Sequence, residues 1–146
     1  MKIHPMTFVA VVVSLLFLMP GAVRLNAQIA NAIHAHIDHS FVIDDTTLPP
    51  GEYTFRTMQD TDLQGMTATS EDGKTSVLFI VRPVTDDHTP RHSELVFRKY
   101  GDTQFLDKIF EGGSKSGVEV TETGRQEARL VKQGEQPISH TEEQKE

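Results

Sequence analysis

Between residues 34 and 110 the apolar residues of this chain return at every second position. That is the period of an extended strand burying one face; a helix would space them three or four apart. Over residues 34–43, Ala35, Ile37, His39, Phe41 and Ile43 fall on one face and His36, Asp38 and Ser40 on the other, which predicts a half-buried strand. Asp44-Asp45-Thr46-Thr47 reads as a polar corner. Leu48-Pro49-Pro50-Gly51 reads as a turn, where proline presets φ and glycine is free to take positive values. In the next strand Tyr53 and Phe55 alternate with Glu52, Thr54 and Arg56.

Residues 63–69 and 75–84 form the arms of a predicted hairpin, because Asp72-Gly73 between them is a strong hairpin signal. Val77-Leu78-Phe79-Ile80-Val81 is apolar throughout and predicts the most buried strand, stopping near Pro83. Residues 85–92 have no apolar member apart from Pro90 and predict an exposed loop. Alternation resumes over 93–100, with Leu95 and Phe97 pointing one way and Val96 and Arg98 the other. Residues 104–110 put Phe105, Asp107 and Ile109 on one side and Leu106, Lys108 and Phe110 on the opposite one. Neither side is polar, so this strand should be covered on both faces or lie under the C-terminal segment.

Glycines at 112, 113 and 117 interrupt the pattern, and residues 123–132 suit a short helix with Ala128 and Val131 on one face and Leu130 beside them. Beyond Gln133 the chain is polar and carries Gly134 and Pro137, so residues 134–146 are expected to be a disordered acidic tail. Short links and alternating faces predict a mainly β fold, an antiparallel six- to seven-stranded sandwich or small barrel. No crossover is long enough for a parallel sheet.

The N-terminal residues follow a different rule. Lys2 precedes an apolar run from Met6 to Met19, broken only by Thr7 and Ser14, and Pro20-Gly21 ends it. The run is shorter than the roughly 20 residues that span a bilayer. Leu25 and Ala27 then occupy the two positions read by signal peptidase. The expectation is a signal peptide over residues 1–27, a single β domain with its helix over 28–133, and the tail. The mature chain would be periplasmic or secreted, with no stable membrane insertion. Without cysteine it has neither disulfides nor a thiol-anchored lipid, so packing and backbone pairing must hold it together. Removing Lys2 and Arg24 leaves 12 basic against 21 acidic residues, a net charge of −9. That balance disfavours nucleic acid and anionic lipid as partners, since both would repel it.

Ala35-His36-Ile37-Asp38 with Phe41-Val42, Leu48-Pro49-Pro50-Gly51-Glu52-Tyr53, Ser93-Glu94-Leu95-Val96-Phe97, Tyr100-Gly101-Asp102 and Phe105-Leu106 together resemble a group of small exported β-rich proteins common in acidobacteria and related soil bacteria. The resemblance covers most of residues 33–130, and Phe110 stands where a tryptophan is expected in that group. The group carries no agreed catalytic or binding residues, so what the resemblance implies is a shared β architecture.

Three constellations could carry chemistry. His34, His36 and Asp38 lie two apart on one strand face, and imidazoles so placed can grip one divalent metal such as zinc. His39, on the opposite side with Ile37 and Phe41, reads instead as a partly buried structural residue. Asp60, Asp62, Gly65 and Glu71 approach the spacing of a calcium loop, but Gln64 and Thr67 depart from it and strands flank it, so a solvated turn is the better reading. Asp86, Asp87, His88, His92 and Ser93 supply the residue types of a hydrolytic triad without any elbow that presents the serine. Gly112-Gly113-Ser114 lacks the continuation of a phosphate loop.

The expected function is therefore a non-enzymatic exported binding or structural module of the cell envelope, without cofactor. Its partner would be an envelope protein or a small ligand, met by a sheet face or by the 85–92 loop. The alternative is a metal-binding protein or metal-dependent hydrolase in which Asp38, His88 or His92 completes a site begun by His34 and His36. Mass spectrometry of the chain recovered from cells tests the leader: the expected N-terminus is Gln28, and a species retaining residues 1–27 contradicts the assignment.

Overall fold

The computed structural model describes residue 29 and residues 31–58, 64–121 and 123–144; the leader read over 1–27 lies outside the described residues. These residues form β1 (Ile33–Ile37), β2 (Phe41–Ile43), β3 (Thr46–Leu48), β4 (Gly51–Thr57), β5 (Gly65–Ser70), β6 (Ser76–Thr85), β7 (Glu94–Tyr100), β8 (Thr103–Phe110), β9 (Ser116–Val120), α1 (Arg125–Lys132) and β10 (Ile138–Glu143). The fold is mainly β. The strands run in the order β1-β4-β5-β6-β9-β8-β2-β3, with β7 on β8 and β10 on β7. Every pairing is antiparallel except β2 with β8, which meet in parallel at Val42 and Phe105. The sheet is thus mixed, is not closed into a barrel, and has ten strands where six or seven were expected.

The extra strands have separate causes. The segment 34–43 splits because β4 begins at Gly51, which faces Ile37. Beyond that point the chain has no partner there, and after Asp38-His39-Ser40 it restarts as β2 against β3. The hairpin between β2 and β3 turns on Asp44, at φ 54°, a left-handed conformation that a short polar side chain tolerates. β9 forms despite its glycine. Opposite Phe110, a Cβ at Gly117 would overlap the Phe110 ring and the Ile109 carbonyl.

The long strand β6 joins the two parts of the sheet. Its first half pairs with β5 and its second with β9. Val81 donates its N–H to the Gln64 carbonyl (2.8 Å), whereas the Ile80 carbonyl accepts from Thr121 (3.0 Å). Successive residues aim their polar groups at opposite edges, so β5 and β9 flank β6 on opposite sides. Pro83 shares the parity of Val81, and its missing N–H falls on the edge that β5 has already left. For that reason the strand continues to Thr85 instead of stopping near Pro83. Nor is it the most buried strand. Phe79 and Val81 are buried, but Leu78 is 57% exposed.

The strand with the most buried residues is β8, covered on both faces as its mixed sides required. Val96 faces Lys108 but Phe97 faces Leu106, so Asp107 is an extra residue, a β-bulge. The bulge reverses the alternation. Leu106 and Ile109 both enter the main core, contrary to the simple period of two, and Phe105 turns outward to meet Val42, Tyr100 and Leu130 of α1. In the main core Phe41 stands edge-on to Tyr53 (5.1 Å) and to Phe97 (6.0 Å), the geometry favoured by ring quadrupoles. Ile37, Phe55, Met66, Leu95 and Ile109 fill in around them.

Polar contacts dock α1. The residue it buries is Glu127, 3% exposed, while Val131 of the expected apolar face is 53% exposed. Arg98 on β7 donates Nε to Glu127 Oε1 (2.6 Å) and Nη2 to Oε2 (3.1 Å), and its Nη1 donates to Asp107 of the bulge. Burial works against the charge of Arg98, but Glu127 and Asp107 outweigh it and raise its pKa. At the helix start Gly124 offers no capping side chain, and a Cβ there would strike the Asp44 carbonyl. Asp45 caps from outside, accepting the Gln126 N–H (3.2 Å) and pairing with Arg125 (2.8 Å) at the positive end of the helix dipole. Gly134, at φ 83°, ends the helix, with Glu135 N–H returning to the Leu130 carbonyl in a Schellman turn.

The segment expected to be disordered from 134 onward instead places residues 138–143 in β10, antiparallel to β7 from Ile138 opposite Lys99 to Glu143 opposite Glu94. The strand has no apolar alternation and is exposed almost throughout, so its attachment to β7 rests on backbone pairing.

Losing Arg98 would leave the buried Glu127 without its cation and Asp107 with Lys108 alone, a loss typically costing about 3–5 kcal/mol. The expected outcome is that Arg98→Met lowers the urea midpoint by an amount in that range, while Arg125→Met, at the exposed Asp45 pair, leaves it unchanged; equal midpoints for the two variants would contradict this account.

Candidate functional site

The three residues proposed for a metal on β1 each meet a different partner. His34 and His36 project from the exposed face of β1, where His34 Nδ1 meets Thr54 Oγ1 (3.1 Å) and His36 Nδ1 meets Glu52 Oε1 (2.5 Å), both on the neighbouring strand β4. Asp38, one residue past the end of β1, meets His39 Nδ1 at 3.0 Å. The loop histidines lie elsewhere. His88 sits with Asp86 and Glu94, and His92 Nε2 lies 4.0 Å from Glu143. Ser93 has a backbone role, its hydroxyl accepting the Gly112 N–H (3.3 Å). Of the calcium-like motif, Asp60 and Asp62 lie outside the described residues; Gly65 opens β5, and Glu71 stands in the β5–β6 turn with its N–H on the Glu52 carbonyl.

Two polar constellations do form, one on each side of β10. The β7–β10 register decides which residues enter which. Ser139, Thr141 and Glu143 share the face of Arg98, Val96 and Glu94, while His140 and Glu142 share the face of Phe97 and Leu95.

On the first face lies a cleft of about 320 Å³ lined by Asp86, His88, Glu94, Val96, Lys108, Phe110, Ser139 and Thr141. Asp86 is placed by the hydrogen bond of its own N–H to the Lys115 carbonyl at the end of the β6–β9 ladder. It accepts from the backbone N–H of His88 (3.3 Å) and contacts the ring Nδ1 (3.1 Å), while Nε2 on the other side of the ring lies 3.4 Å from Glu94. Held between two carboxylates, first Asp86 and then Glu94, the imidazole has its pKa raised above the ordinary 6.5. The partner effect lowers Asp86 below 3.8, mainly through the same hydrogen bond.

The second constellation occupies the opening between β1 and β10, where the sheet would have to close. Gln144, 7% exposed, bridges this gap: its N–H reaches the Ser93 carbonyl (2.8 Å), and its side-chain carbonyl accepts the His36 N–H (2.9 Å). Beside it His39, a fifth exposed, lies edge-on to Phe97 (5.3 Å), the partly buried packing role expected of it. Its Nδ1 contacts both Asp38 Oδ1 (3.0 Å) and Glu142 Oε1 (3.2 Å), and Glu142 Oε1 also meets His140 Nε2 at 3.2 Å. His39 Nε2 is buried with no hydrogen-bond partner. The imidazole beside Asp38 holds its carboxyl below the usual range. Sequence reasoning missed Glu142 and His140 because they belong to a segment without strand periodicity, 102 or more positions from Asp38.

Comparison with protein families, with curated proteins and with solved structures finds no match to this chain.

Because the folded pKa of His88 is raised, the contribution of its pairing is fully present below the unfolded value of 6.5 and is lost as pH rises through the folded one. Imidazole NMR shifts followed against pH should place the His88 midpoint above 6.5, and Asp86→Asn should bring it back toward that value; an unmoved midpoint in the variant would remove Asp86 as the cause.

Proposed function

We propose that this chain is a non-enzymatic, exported binding module of the cell envelope whose ligand site is the cleft at the root of the 85–92 loop. One observation carries the reading: Asp86 and His88 of that loop line a single cleft together with Glu94, Lys108, Ser139 and Thr141. Its volume of about 320 Å³ lies at the lower end of the usual range for small-molecule sites. Val96 and Phe110 supply apolar surface, and the polar groups supply donors and acceptors from three strands and a loop. Carboxylates of Asp86 and Glu94 share the cleft with the Lys108 amine and the His88 imidazole, a lining that suits a small molecule with several hydrogen-bonding groups. The absence of a reaction is argued from the engagement of these residues. Asp86, His88 and Glu94 pair with one another, and Ser93 is bound to the Gly112 backbone instead of to His88. The acidic mature composition fits a partner other than nucleic acid.

The test passes the low-mass fraction of an envelope extract over the immobilised protein and over its Glu94→Ala/Lys108→Ala variant, and identifies what is retained by mass spectrometry. A compound held by the native chain and released by the variant is the expected result. Identical retention by both, or none by either, overturns the assignment of the cleft.

A further inference from the structure

We infer that Asp38, His39 and Glu142, with His140 alongside, form a site for a divalent transition metal of the zinc class, spanning the opening between β1 and β10. The inference is independent of the cleft and relocates metal binding from the exposed face of β1 to a place assembled by the fold. Asp38 Oδ1, His39 Nδ1 and Glu142 Oε1 lie within 4.8 Å of one another. The separations from Nδ1 to the two oxygens are 3.0 and 3.2 Å. For ligands at about 2.0–2.1 Å from a tetrahedral ion, neighbouring ligand atoms stand about 3.3 Å apart, so both separations from Nδ1 are close to those of ligands sharing one ion. Imidazole with carboxylate is also a donor set that zinc accepts.

Hydrogen bonding among the three groups points the same way. Two carboxylate oxygens converge on a single ring nitrogen, which can direct one N–H at only one of them. A proton on Nδ1 leaves Nε2 as a buried lone pair with no hydrogen-bond partner. With the proton on Nε2, the Nδ1 lone pair faces two anionic acceptors. An ion among the three removes the conflict at Nδ1: it takes the Nδ1 lone pair and both carboxylates, with the ring proton on Nε2. The site is anchored on one side. His39 is held by Phe97, and Glu142 is placed on the same face by its register opposite Leu95. His140, whose Nε2 lies 3.2 Å from Glu142 Oε1, is next in reach for the remaining coordination position. Bound there, the ion would tie the residues following β1 to the C-terminal strand.

The experiment strips the purified protein with a chelator and titrates Zn²⁺ alone by calorimetry, with circular dichroism confirming that each variant is folded. The expected result is one equivalent bound by the native chain, with affinity falling at least about tenfold in Glu142→Gln and in Asp38→Asn and unchanged in His36→Gln. Asp38 is exposed and Glu142 sits on the peripheral strand β10, so these variants test coordination without removing the His39 ring from Phe97. Imidazole NMR adds a second readout, since Zn²⁺ should shift His39 and leave His34 unmoved. No saturable binding by the native chain overturns the site and leaves an ion-pair cluster in its place. Binding that survives Glu142→Gln, or that is lost in His36→Gln, overturns it in favour of other histidines.

Discussion

Arg98 ties three parts of the chain together: β7, the bulge in β8 and α1. Its guanidinium reaches Asp107, exposed to it by the bulge in β8, and Glu127 of α1, and both carboxylates are nearly inaccessible to water. Once the bulge sends Phe105 outward, that apolar surface needs cover, and α1 supplies it through Leu130. The helix carries too little apolar surface to dock by burial alone, so charge-assisted hydrogen bonds set its position, and planar guanidinium geometry makes that position specific. The Schellman turn at Gly134 then returns the chain toward β7, where β10 adds to the sheet. The placement of His140 and Glu142 is therefore a downstream result of an ion triad on the opposite face of β7.

This dependence explains why both polar constellations flank β10. A strand attached chiefly through its backbone presents side chains freely on two sides. One side gives hydroxyls to the cleft beside the 85–92 loop, and the other gives an imidazole and a carboxylate to the opening beside β1. Neither set needs to form part of the hydrophobic core, so the chemistry of each can vary with small effect on the fold.

Much of the β architecture was legible in the alternation of Ala35, Ile37, Phe41 and Ile43, of Tyr53 and Phe55, and of Leu95 and Phe97, because each of these positions has a buried face that selects apolar side chains. The Asp72-Gly73 turn was legible for a local reason: Asp72 accepts from Ser70 Oγ (2.6 Å) and from the Lys74 N–H (3.1 Å), and Gly73 adopts φ 68°. The reading failed where long-range partners decided the outcome. Asp107 resembles any other polar strand residue until its cross-strand register is known. Glu127 looks solvated until Arg98 is placed beneath it, which is why the helix was assigned the wrong inner face. β10 has no hydrophobic period to detect. The candidate metal ligands followed the same rule. His34 and His36 attracted notice because they are close in sequence, whereas Glu142 reaches His39 only through the C-terminal pairing.

Pro83 has a consequence beyond the length of β6. The second half of that ten-residue strand has β9 on one side and, among the described residues, no strand on the other, and such an edge normally recruits a strand from another molecule. Because Pro83 has no N–H on this edge, the row of donors is interrupted where an incoming chain would need it. A residue that the strand tolerates at no cost to its own ladder thus opposes intermolecular sheet growth, and a protein built largely from strands, without disulfides, is spared one template for fibrils.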